Sequence, residues 1–102
     1  GPLIGTEGYR IYPLVAYEVT QGFEVYHFEI ESGVSLPADP HTGNALEIVI
    51  VRTGTLDIQV GKSETRHVKA DEVLRFDATH PHHYHNPGVN MATGTMIIAY
   101  TR

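Results

Sequence analysis

Nowhere in this 102-residue chain do apolar residues recur at helical spacing over a long stretch; they alternate in short runs broken by glycine, proline and asparagine. This restricts the fold more than any other property, because alternation is the pattern of half-buried strands whose successive side chains point to opposite faces. Residues 23–31 set Tyr26, Phe28 and Ile30 on one side and His27, Glu29 and Glu31 on the other. Leu56, Ile58 and Val60 alternate with Asp57 and Gln59, and Gly61-Lys62 marks a tight hairpin. Residues 65–69 and 72–77 predict two further strands, and 91–101 a closing one with Met96, Ile98 and Tyr100 opposite Ile97 and Ala99. Residues 9–20 also predict a strand, which Pro13 either confines to an edge or breaks. Many short strands with turn signals every several residues predict an all-β sandwich or barrel.

One domain accounts for the length, over residues 9–102, with 1–8 as a loose lead-in. There is no cysteine, which excludes disulfide scaffolds, thiolate zinc sites and cysteine nucleophiles, and is compatible with a reducing cytoplasm. No apolar run approaches the roughly 20 residues that span a bilayer, so a soluble, cytoplasmic protein without membrane contact is expected. Seven scattered Lys and Arg residues and a net charge of -5 do not form a face that would grip a phosphate backbone. The start, Gly1-Pro2, resembles what a protease-cleaved fusion leaves, so an excised domain is expected.

Two runs carry the chemistry. The first, Asp39-Pro-His-Thr-Gly-Asn-Ala-Leu-Glu47, opens the apolar strand Glu47-Ile-Val-Ile-Val51. There Glu47 shares a face with Val49 and Val51, while Leu46, Ile48 and Ile50 fill the other. A strand apolar on both faces lies between two packed layers. A carboxylate at its start is either solvated at the strand's wet end or buried and in need of a cation, a metal or a proton. The second run, Thr79-His-Pro-His-His-Tyr-His-Asn86, packs four of the seven histidines into six positions. With His82 inward, alternation turns Tyr84 and Asn86 inward and His83 and His85 outward. His67 reads as surface, and Asn86 as a side chain that secures its own turn. Tyr26, Phe28, Tyr84, Met96 and Ile98 are candidates for a pocket wall as well as for plain core, and His80 is a loop candidate for the same pocket.

These motifs resemble those of the cupin superfamily. Residues 33–54, with His41, Glu47 and six residues before Gly54, are similar to its first motif; Ala70-Asp71, Phe76, His82 and Asn86 are similar to its second. The resemblance implies a double-stranded β-helix, a jelly-roll barrel that holds its ligand at the mouth. Gly54-Thr-Leu-Asp-Ile, Lys69-Ala-Asp-Glu-Val-Leu-Arg-Phe-Asp-Ala, His80-Pro-His-His-Tyr-His-Asn-Pro-Gly and Met96-Ile-Ile-Ala-Tyr resemble the C-terminal sensor domains of XRE-type helix-turn-helix regulators.

Cupin enzymes usually offer His-x-His, Glu and a later His to iron, manganese, nickel or zinc. Here Asp39 stands where the first His would be, and five residues separate His41 from Glu47. His41, Glu47 and His82 remain as a two-histidine, one-carboxylate set with open positions, and Asp39 as a weak fourth ligand. The same residues could instead hydrogen-bond a polar or anionic ligand, or one another. The resemblance therefore implies a domain that binds a small effector, with or without a divalent metal, and reaches DNA through a separate N-terminal module. The other reading is a metal-dependent dioxygenase or isomerase. Family members commonly pair through strand or barrel faces, so a homodimer is expected.

Overall fold

The computed structural model describes residues 4–6, 8–18, 21–41 and 43–101. Ten strands follow one another there: β1 (Ile4–Thr6), β2 (Tyr9–Val15), β3 (Phe23–Ile30), β4 (Ser35–Ala38), β5 (Asn44–Thr53), β6 (Thr55–Val60), β7 (Arg66–Lys69), β8 (Val73–Asp77), β9 (His82–His85) and β10 (Ala92–Thr101). All pairings are antiparallel. They build a six-stranded sheet in the order β1-β2-β3-β10-β5-β8 and a four-stranded sheet in the order β4-β9-β6-β7. The all-β architecture expected from the alternation, and the jelly roll that the resemblance implied, are the fold observed.

Burial follows the alternation strand by strand. In β5, Ala45, Glu47, Val49 and Val51 are buried while Leu46, Ile48 and Ile50 are half-buried on the outer face. Ile58 and Leu56 of β6 and Tyr84 of β9 face Phe28, Ile30, Val49, Val51, Met96 and Ile98 across the space between the sheets. Each fully buried Phe, Ile or Val side chain contributes about 1.5–3 kcal/mol, so this layer is the main source of stability. One glycine is required by close approach. A Cβ on Gly94 would lie 2.0 Å from the Ile50 carbonyl and 2.7 Å from the Phe28 ring, at the register shift between Thr93 and Gly94.

Several boundaries differ from expectation. Residues 35–38, where the sequence pattern predicted no strand, form β4, which pairs with β9 along Ser35↔His85 to Ala38↔His82. Within the stretch read as a loose lead-in, Ile4–Thr6 pairs with β2. The second strand ends at Val15, after a register shift at Pro13, rather than running toward residue 20; residues 19 and 20, like Gly1 and Pro2, lie outside the described residues.

The loops at one end bring the two runs together. The His41 amide donates to the Ala78 carbonyl at 2.9 Å, and the Ala78 amide donates to the Ala45 carbonyl at 2.9 Å. The segment before β5 is thereby tied to the segment before β9. No helix among the described residues is long and apolar enough to cross a membrane.

Candidate metal and ligand site

Glu47 comes from β5 of the larger sheet, His82 from β9 of the smaller sheet, and His41 from the segment between β4 and β5. Their donor atoms lie within 4.8 Å of one another. His82 Nε2 is 3.5 Å from Glu47 Oε1, and His41 Nε2 is 3.8 Å from the same oxygen. Glu47 is 1% exposed and His82 4%, whereas the His41 side chain keeps 27% of its surface open. The wet-end alternative for Glu47 is thus ruled out by its burial.

Hydrogen bonds decide which nitrogens are bare. A carbonyl only accepts, so the His82 Nδ1 contact of 2.9 Å to the His80 carbonyl puts the imidazole proton on Nδ1. In neutral His82, Nε2 then presents a lone pair, and it has no hydrogen-bond partner among the described residues. The Tyr100 hydroxyl donates to Glu24 Oε1 at 2.9 Å, so its oxygen receives the 3.3 Å contact from His41 Nδ1–H. His41 Nε2 is bare by the same reasoning. The Tyr84 hydroxyl donates to Glu47 Oε2, which leaves Oε1 facing both nitrogens. Two lone pairs and an anionic oxygen converge on one point, an arrangement that calls for a positive charge at its centre, either a proton or a cation.

The proton balance follows from these contacts. Burial alone would push the Glu47 carboxyl up, but His41, His82 and the Tyr84 hydroxyl outweigh it and hold the carboxyl below its ordinary value of 4.5. Burial alone would push the His82 imidazole down, but Glu47 and the His80 carbonyl hold it above 6.5. Burial and then the Glu47 charge raise Tyr84 well above 10.0, so it stays a donor. Burial and the neighbouring Glu24 push Tyr26 up to about 12.

The donor set fits a divalent transition metal. Ligand atoms about 2.1 Å from an ion at tetrahedral angles lie about 3.4 Å apart, close to the 3.5 and 3.8 Å that separate Glu47 Oε1 from the two imidazole nitrogens. The His80 carbonyl, Tyr84 and Tyr100 supply the second layer of hydrogen bonds that fixes such ligands.

A cavity of about 410 Å³ opens over this set. Tyr26, Tyr84, Met96 and Ile98 line it, as does Asp39 at its exposed rim, although Asp39 lies outside the converging donor group. Two expected pocket residues are placed elsewhere. Phe28 is fully buried in the core beneath Gly94. The His80 side chain is 62% exposed and turned toward Asp77, so only its carbonyl serves the site. His83 and His85 point outward as alternation required, and His67 is exposed against Asp57. Asn86 donates to the Ile30 and Asn90 carbonyls and accepts from the Gly88 amide, securing its turn.

Sequence reasoning missed Glu24, Tyr100 and the wall formed by Leu36, Pro37 and Ala38. The signal for the first two was present. Glu24 shares the face of Tyr26, and Tyr100 that of Met96 and Ile98.

Comparison with known proteins gives a consistent family. The family model described as cupin domain matches residues 26–98. No curated protein matches the chain. Among solved structures, the cupin domain of an XRE family transcriptional regulator from Enterobacter cloacae is 25% identical, with a TM-score of 0.87 over 94% of this chain and 100% of that one. An HTH_3 family transcriptional regulator from Vibrio cholerae is 22% identical, with a TM-score of 0.84 over 93% of this chain; the chain spans 52% of that protein. Ectoine synthase from P. lautus is 18% identical, with a TM-score of 0.74 over 94% of this chain and 67% of that one. The last two likenesses show shared fold alone.

Proposed function

Since the chain belongs to the cupin domain family, we propose that it is the sensing part of a bacterial transcriptional regulator, binding a small effector in the barrel with a divalent metal held by His41, Glu47 and His82. The observation that carries the ligand site is the buried, unpartnered His82 Nε2 facing Glu47 Oε1 beneath an open cavity. The regulatory assignment is supported by the likeness, over nearly the whole chain, to the cupin domain of an XRE family regulator. In this reading the domain is cytoplasmic, works as a homodimer, and contacts DNA only through a separate N-terminal module. Effector binding changes DNA affinity to the extent that it favours one state of the whole regulator over another.

Two measurements test the proposal. Zinc, manganese, nickel or iron(II) should raise the melting temperature of the chain saturably, and His82→Ala should remove the effect. The open reading frame that encodes this segment should also encode a helix-turn-helix module. Its absence there would end the regulatory reading whatever the metal result.

The three-donor set with open positions supports a second reading, a metal-dependent dioxygenase or isomerase. An ion bound there would act as a Lewis acid, while Tyr84 holds Glu47 and the His80 carbonyl holds His82 in place. Turnover of a metabolite by the metal-loaded chain, lost in His82→Ala, would favour the enzyme over the sensor.

A further inference from the structure

The cavity wall is strongly biased in charge. Glu24, Asp39 and Glu47 line it, and no lysine or arginine among the described residues does. Nor does a lysine or arginine pair with any of these carboxylates elsewhere among the described residues; the nitrogen groups that approach are the imidazoles of His41 and His82, both at Glu47. A concave site lined by one sign of charge concentrates ligands of the other sign. A divalent ion on the His41, Glu47 and His82 set would not reverse the bias, because the three carboxylates still outweigh it.

Glu24 is the carboxylate built for a ligand. The Tyr100 hydroxyl fixes it at 2.9 Å, and Tyr26 lies beside it on the same face of β3, with a ring suited to the flank of a cation. Apolar surface from Ile11, Leu36, Met96 and Ile98 continues from there and suits a short carbon chain. An independent observation marks the cavity as a ligand site: His82, which lines it, keeps Nε2 withdrawn from solvent and without a hydrogen-bond partner, facing Glu47 Oε1.

We infer that the effector carries a protonated amine, seated on Glu24 beside Tyr26, with its carbon chain along the apolar wall. This rests on the reading of the cavity as the sensing site and specifies the chemical class of what is sensed.

Three five-carbon probes of matched shape test it: 1,5-diaminopentane, pentane-1,5-diol and glutarate, each titrated calorimetrically into the zinc-loaded and the ion-free chain. The diamine should bind at least about tenfold more tightly than the diol, and glutarate more weakly still. Glu24→Gln, nearly isosteric and still able to accept from Tyr100 through its amide oxygen, should weaken the diamine by about tenfold or more in the ion-free chain. The probe ranking in the wild-type chain stands whether or not that variant folds. Glutarate or diol binding as tightly as the diamine, absent diamine binding, or a folded Glu24→Gln variant with unchanged diamine affinity would each overturn the inference. Glutarate binding that His82→Ala abolishes would overturn the cationic class yet leave the sensing site standing. A chain that takes up neither zinc nor any probe would remove both.

Discussion

Glu47 Oε2 is buried, and among side-chain hydroxyls of the described residues it receives only that of Tyr84. Tyr84→Phe removes the donor and leaves a charged acceptor without compensation, at a cost of about 2 kcal/mol. Urea unfolding measures this directly. In a Glu47→Gln background the same substitution should cost clearly less, because the group stranded is then neutral. The site also sets a pH dependence whose sign follows from the two shifts. His82 lies above 6.5 when folded, so its stabilising contribution is complete below pH 6.5 and is lost as the pH rises through the folded value. Glu47 lies below 4.5, so its contribution is present above pH 4.5 and is lost as the pH falls through the folded value. As far as these two groups decide, the ion-free chain is most stable between pH 4.5 and 6.5. A divalent ion must displace the proton from His82 Nε2, so zinc should raise the melting temperature more at about pH 8 than at about pH 6. An equal rise at both would show that His82 is not a ligand.

β10 lies between β3 and β5, so any element-level damage to it disturbs both neighbours. At Gly94 an added Cβ meets backbone, the Ile50 carbonyl, which cannot swing aside as a side chain can. Gly94→Ala should therefore cost about 3 kcal/mol and lower the melting temperature by more than about 10 °C. A variant melting within about 2 °C of wild type would show that the β5–β10 pairing yields more easily than its geometry implies. The same elements explain what the sequence made legible. β3, β6 and β10 announced themselves because each buries one face, and burial on one face is what period-two alternation records; β5 announced itself as an apolar run, although only one of its faces is buried and not the two that such a run suggested. β4 did not, because Pro37 argues against a strand; it is accommodated since β4 is an edge strand of the smaller sheet. β1 has three residues, too few for any pattern. In the site, alternation oriented Glu47, His82, Tyr84 and Tyr100 correctly, and it would have oriented Glu24 had it been followed one step back along β3 from Tyr26. His80 sits in a turn, where side-chain direction has no period, so its outward side chain and inward carbonyl could not be read from its neighbours.

For the molecule as a whole, the outer face of the six-stranded sheet raises a question of partnership. Both faces of β5 are apolar, yet only one faces the interior. On the other, Ile48 is flanked by Ile97 of β10, which in turn neighbours Val25 of β3; Ile50 pairs with Val73 of β8, which is 59% exposed. Such a cross-strand row costs nothing in solubility when a second copy covers it, and on the homodimer reading this face is where the two copies should meet. Light scattering should then report about twice the 11.3 kDa chain mass at tens of micromolar. Ile48→Lys should return the monomer mass, because its side chain points out of the barrel and a lysine there meets water in a monomer but an apolar surface in a dimer. Melting of the variant separates this from misfolding: a folded monomer keeps a cooperative transition and its zinc response, since His41, Glu47 and His82 lie on the opposite face of the sheet from Ile48. A wild-type chain that runs at the monomer mass would show that this face does not join two copies.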